Sequence, residues 1–198
     1  LNSGLRVPPS AGSASGVLPN PVGYNRVYVQ TGDELSWDAW WEGLKAGQSF
    51  VTNGPLLICQ ANGKTAGHQF SATAVGKTQV ELSIELFSLD PVPAVEVIWN
   101  GKVVKSIPVT GQKATLQSSI QVEGPGWFLV RAITDRKETF RFASTAPWYV
   151  GGKGEHISRK SALFFADWVD ERIERVPLKL KDADKLREVL EYHEKARV

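Results

Sequence analysis

The feature that most constrains this chain is a change of period at residue 49. Upstream, residues 36–47 carry the marks of a short amphipathic helix. Ser36 can accept a hydrogen bond from the free amides of a first helical turn, and Asp38 stands where a negative charge complements the helix dipole. Trp37, Trp40, Trp41 and Leu44 recur at i, i+3, i+4 and i+7, which predicts one buried stripe. Gly47 supplies the left-handed residue that ends such a helix. Three indoles on one side of so short a helix need a larger body to cover them.

Downstream, from residue 49 to about 150, the apolar residues alternate with a period of two. Val80, Leu82, Ile84 and Leu86 are interleaved with Glu81, Ser83 and Glu85, one face for a core and one for water. Segments 95–99 and 102–107 flank Asn100-Gly101, the strongest short hairpin signal. Segments 116–122 and 127–134 flank Glu123-Gly124-Pro125-Gly126 and predict a second hairpin. A third turns near Asp135-Arg136-Lys137 into 139–143. Short strands at this spacing with no helix between them predict a mainly β fold, an antiparallel β-sandwich of immunoglobulin-like type.

The tail is helical. Phe164, Phe165, Trp168, Val169 and Ile173 predict a helix that begins near Ser158 or Ser161 and ends before Pro177, since proline disfavours helix in the residue ahead of it. Asp182 or Asp184 caps a second helix with the stripe Leu186, Val189, Leu190, His193, and Glu191 and Lys195 form a supporting i,i+4 pair. The expected division is therefore 1–48, a loop, strand and helix; 49–150, the β-sandwich; and 151–198, two C-terminal helices.

The same segment carries a family resemblance. The run Gly47-Gln48-Ser49-Phe50-Val51-Thr52-Asn53-Gly54-Pro55-Leu56-Leu57, then Asn62-Gly63 and Gly67, resembles the carbaryl-esterase type (CehA/McbA-like) of the PHP-fold metallohydrolases. So does Pro21-Val22-Gly23-Tyr24-Asn25-Arg26-Val27-Tyr28. The resemblance implies a distorted (β/α) barrel that binds metal ions and whose last helix leads into a C-terminal β-sandwich. Residues 1–48 would then be the C-terminal edge of that barrel, the rest of which would lie upstream. The chain has no Met, which fits a piece of a longer polypeptide.

The resemblance also implies a late metal motif, Gly-Ser-Asp followed two residues on by His. The matching positions here are Gly12-Ser13-Ala14-Ser15-Gly16, so Ala14 replaces the Asp and Gly16 the His. Neither can ligate a cation through its side chain. No catalytic residue and no metal ligand is expected in this chain, and a divalent metal would belong to the full-length protein. Two readings follow: a degenerate, non-hydrolytic member, which is favoured, or an active hydrolase whose ligands all lie upstream.

Other chemistry is thinly supported. His68, His156 and His193 pair with no second ligand at a metal spacing. Glu155-His156 is an adjacent carboxylate–imidazole pair, and Gly151-Gly152-Lys153-Gly154 lacks the order of a phosphate loop. Gly12-Ser13-Ala14-Ser15-Gly16 is not a nucleophile elbow. The lone Cys59 lies in an apolar run as a small hydrophobe, and it leaves the redox compartment, export included, open.

A net charge of +2 gives no basis for a nucleic-acid or anionic-membrane partner, because nearly half of the charges fall in 151–198 with signs interleaved, as on solvated helix faces. No apolar run is long enough to span a bilayer. The seven tryptophans raise a glycan- or protein-binding module as the alternative function. Most are core candidates; Trp99, beside the Asn100-Gly101 turn, and Trp148, near a strand end, are the expected exposed platforms. Arg26 and Asn53, one in each of the two resembling runs, complete the candidate binding residues.

Overall fold

A computed structural model describes residues 1–14, 16, 21–72, 77–152 and 156–196. The fold is mainly β, with eleven strands and three helices. The chain divides into two compact units, residue 1 with Arg6–Glu155, and Asn2–Leu5 with His156–Val198.

In the first unit, β1 (Arg26–Val29) leads to α1 (Trp37–Lys45) and β2 (Ser49–Thr52). Then come β3 (Leu56–Ala61), β4 (Gln69–Phe70), β5 (Lys77–Phe87), β6 (Ala94–Trp99), β7 (Lys102–Pro108) and β8 (Lys113–Glu123). The unit ends with β9 (Gly126–Ile133), β10 (Phe142–Thr145) and β11 (Trp148–Val150). Three strands form a small sheet in the order β3-β5-β8; the other eight form a large one. Neither closes into a barrel among the described residues. In the large sheet β9 has β6 on one side and β10 followed by β11 on the other; β7 extends it beyond β6, and β2 and β1 extend it beyond β10. Strand β4 pairs with β11 in parallel.

The two sheets share one core. Leu57 and Ala61 of β3, Val80, Leu82, Ile84 and Leu86 of β5, and Val122 of β8 cluster with Val95 and Val97 of β6, Phe128 and Val130 of β9, and Trp148 and Val150 of β11. The alternation expected at 80–86 is present: every second residue of β5 is buried, and β5 pairs β8 from Lys77–Glu123 to Phe87–Lys113. The Asn100-Gly101 hairpin is also present, joining β6 to β7 with both turn residues at positive φ, 49° and 85°. That is the backbone of the turn that matches strand twist.

The second predicted hairpin is not formed. β8 pairs β5 in the small sheet, whereas β9 lies in the large one. Pro125 has no N–H with which to close a tight turn, and the apolar faces of β8 and β9 bury more surface stacked across the core than side by side. The segment 123–125 is thus a crossing from one sheet to the other. The third hairpin forms, with Phe142 opposite Ile133.

Helix α1 has the expected caps: Ser36 Oγ accepts from the Ala39 N–H at 3.1 Å, and Gly47 follows the helix at φ 72°. Its tryptophans do not form the buried stripe. Trp37 and Trp41 are 74% and 39% exposed, and Gly43 is the buried residue. A Cβ at Gly43 would stand 2.5 Å from the Gln30 carbonyl oxygen and 2.7 Å from Val29 Cγ1. The helix therefore meets β1 through its smallest side chain, and the indoles pack edge-to-face on one another, Trp40–Trp41 at 4.9 Å and Trp37–Trp41 at 5.7 Å.

The second unit holds α2 (Arg159–Lys179) and α3 (Ala183–Lys195), capped by Ser158 and Asp182. Helix α2 does not stop before Pro177 but runs on to Lys179. A proline this close to a helix end removes only one ladder bond, and the Leu180 N–H still donates to Val176 O at 2.9 Å. Neither helix has a fully buried residue; Val169, Ile173 and Val176 of α2 and Leu186, Val189 and Leu190 of α3 are half-buried. The Glu191–Lys195 pair closes at 2.7 Å. The Ser158 N–H donates to Asn2 O at 2.7 Å, which ties the N-terminal residues to this unit. Among the described residues no helix is long and apolar enough to cross a membrane.

Candidate functional site

The large sheet is wider than the small one, and this mismatch builds the site. Strand β3 is the edge of the small sheet. Beside it the large sheet continues past β10 into β2 and then β1, beyond the edge of the small sheet. The uncovered strip forms a cleft of about 320 Å³ between β1 and β2 on one wall and β3 with Thr65 and Ala66 on the other. On the first wall Tyr28 and Phe50, register partners across β1 and β2, stack at 4.9 Å with rings 5° apart. Phe50 packs against the core, while Tyr28 is 41% exposed.

The amides of Gln30, Gln48 and Gln60 stand on the rim, exposed and without hydrogen bonds to other described residues. None of the described residues lining the cleft is charged. Cys59 lies on its floor. Burial alone drives that thiol far above its ordinary value of 9.0, so it stays protonated and inert.

The residues singled out in the sequence fall elsewhere or have other tasks. Trp148 is not an exposed platform. It is fully buried, stacked on Phe128 at 5.2 Å, and its indole N–H donates to Lys64 O at 3.0 Å. Its strand end lies in the core because β11 pairs with both β9 and β4. Trp99 is half-buried against the core, and a Cβ at Gly126 would stand 2.7 Å from its ring tip. Asn53 clamps the chain before β10: its amide donates to Phe140 O at 3.0 Å and accepts from the Phe142 N–H at 2.8 Å. Arg26 is half-buried on the face of β1 that carries Tyr28; it donates to Gly23 O at 3.0 Å, and its Nε is buried without a partner among the described residues.

Ala14 and Gly16 are exposed, and the neighbouring Ser13 Oγ accepts from the Asn25 N–H at 2.9 Å. Ser15, Lys153, Gly154 and Glu155 lie outside the described residues, and with them half of the segment 151–154 and the carboxylate of the Glu155-His156 pair. His68 meets the Phe70 ring edge-on at 4.8 Å, and His193 Nδ1 lies 2.7 Å from Val189 O. Among the described residues no three His, Cys, Asp or Glu side chains converge as metal ligands.

Sequence reasoning missed the cleft. Its one local signal is the alternation of Tyr28 and Gln30 on β1 and of Gln48 and Phe50 leading into β2, which puts an aromatic and an amide on the same face of each strand. No protein-family model matches this chain, and no curated protein matches it either.

Proposed function

We propose that this chain is a non-catalytic accessory module, an immunoglobulin-like β-sandwich at the C-terminal end of a PHP-like metallohydrolase relative that is degenerate in metal binding. The sandwich part is supported by the shared core of two layers, antiparallel except for the β4–β11 pair, and by a chain that changes sheet between β2 and β3, β3 and β4, β4 and β5, β5 and β6, β7 and β8, and β8 and β9. The accessory part rests on one observation, the apolar face of α1. Trp37 and Trp41, whose rings meet at 5.7 Å, are exposed at 74% and 39%, and Leu35 just ahead of the helix at 82%. Clustered exposed indoles mark a surface that another body covers. In this reading the body is the upstream barrel of the same polypeptide, and the module closes the barrel's end.

The test is acrylamide quenching of tryptophan fluorescence, run on this 198-residue chain and on a polypeptide extended upstream in its reading frame. Shielding of Trp37 and Trp41 in the longer polypeptide, read from the change lost on Trp37→Phe and Trp41→Phe substitution, supports the proposal. Equal quenching in both overturns it. Stoichiometric divalent metal with ester or phosphoester turnover in the longer polypeptide would overturn the degenerate reading in favour of an active hydrolase.

A further inference from the structure

We propose that the cleft between β1, β2 and β3 binds a neutral glycan, with Tyr28 as the stacking platform and the amides of Gln30, Gln48 and Gln60 as the hydroxyl-reading rim. Four observations lead there.

The first is size and shape. A cleft of about 320 Å³ lies at the lower end of ligand sites, which run from about 300 to 1,000 Å³. The second is the ring. Phe50 supports one face of Tyr28 in a near-parallel stack, so the phenol is held in place before any ligand arrives. Yet Tyr28 keeps 41% of its surface exposed, an apolar plane beside an apolar floor. The C–H face of a pyranose ring is a flat apolar partner for such a plane, and a rigid aromatic loses little conformational freedom in making the contact.

The third is the rim. Each glutamine amide offers two donors and an acceptor in one plane. That set matches vicinal hydroxyls, which also both donate and accept. These three amides have no partner among the described residues, so they can bond a ligand without first breaking a bond within the protein. The fourth is charge. With no cation and no carboxylate among the described lining residues, the cleft offers no charged side chain of its own to a phosphate, a carboxylate or an ammonium group. A neutral polyhydroxyl ligand needs none.

An extended peptide is the competing occupant, since β3 is an edge strand. The end of that edge is already closed: Ala61 N–H donates to Lys64 O at 2.9 Å, and Lys64 N–H donates back to Ala61 O at 2.8 Å. A ladder added there would be short, and strand addition draws its affinity from the ladder. The glycan is therefore the occupant the geometry favours.

The experiment is a calorimetric and ¹H–¹⁵N shift titration of the chain with cellohexaose, xylohexaose, mannohexaose, laminarihexaose and an unrelated extended peptide. Binding of at least one oligosaccharide is expected, with shifts clustered at Tyr28, Gln30, Gln48 and Gln60. Tyr28→Ala should weaken it about tenfold. Gln60→Ala, an exposed change on β3 that leaves the core untouched, should weaken it severalfold with an unchanged circular dichroism spectrum, and so reports even if Tyr28→Ala disturbs β1. Silence across the oligosaccharides overturns the proposal. So do shifts centred on Trp99, wild-type affinity in the Gln60 variant, or binding by the peptide alone.

Discussion

Replacing Trp148 by Ala separates a buried anchor from a surface platform by energy alone. The indole is fully buried, stacks on Phe128 at 5.2 Å and 9°, and Phe128 stacks in turn on Phe70 at 6.3 Å. Truncating a buried aromatic to Ala costs about 3–5 kcal/mol, the transfer term plus the cavity left behind. The lost hydrogen bond adds little, because Lys64 O still accepts from the Ala61 N–H at 2.9 Å. Trp148→Phe keeps a ring on Phe128 and loses one fused ring and the indole N–H, so about 2 kcal/mol is expected. With a urea dependence of about 2 kcal/mol per molar, the midpoint should fall by roughly 2 M for Ala and roughly 1 M for Phe at constant slope. Trp37→Ala, at a position 74% exposed, is the control and should stay within about 0.5 kcal/mol of the parent. A Trp148→Ala midpoint within about 0.3 M of the parent would refute the reasoning, since only an exposed indole is removed at so small an effect.

Three further outcomes are expected. Asn53→Ala removes the donor to Phe140 O and leaves the Phe142 N–H without its side-chain acceptor, a loss of about 1–3 kcal/mol readable in the thermal midpoint. Gly43→Ala gains about 1 kcal/mol of helix propensity but drives a Cβ to 2.5 Å from the Gln30 carbonyl, an overpacking cost of about 1–3 kcal/mol; the net effect should be a lower melting temperature and faster amide exchange in α1. Cys59 makes stability depend on pH in one direction: its folded-state pKa is raised, so its contribution is complete below the ordinary value of 9.0 and declines as pH rises above it, by up to about tenfold in the folding constant per pH unit. Urea midpoints between pH 7.5 and 10.5 should therefore fall less steeply in Cys59→Ala than in the parent.

Where sequence reasoning succeeded, the signal was local. The period-two run of β5 and the Asn100-Gly101 turn each draw on a few neighbouring residues whose backbone preference and single apolar face point the same way. The caps Ser36, Ser158 and Asp182 belong to the same class. The failures involve residues far apart in the chain. Residues 116–134 contain two good strands around a turn, but their partners are β5 and β6, not each other. Trp148 looks like a strand-end residue until β4, which lies far earlier in the chain, pairs beside it. The exposed indoles of α1 follow from Gly43 meeting Val29 and Gln30, a contact that no helical periodicity encodes. Asn53, singled out for its place in a motif, proves to hold residues 140 and 142.

By itself the sequence determined the kinds of element and their order: a capped helix, a long run of strands with one apolar face each, and two terminal helices. Those follow from side-chain period and turn chemistry, which act over a handful of residues. Only the tertiary structure decided which strands share a sheet and that eight strands lie against three. The width of a sheet depends on pairings between distant residues. The uncovered strip that carries Tyr28 and Phe50 exists because those pairings make the two layers unequal.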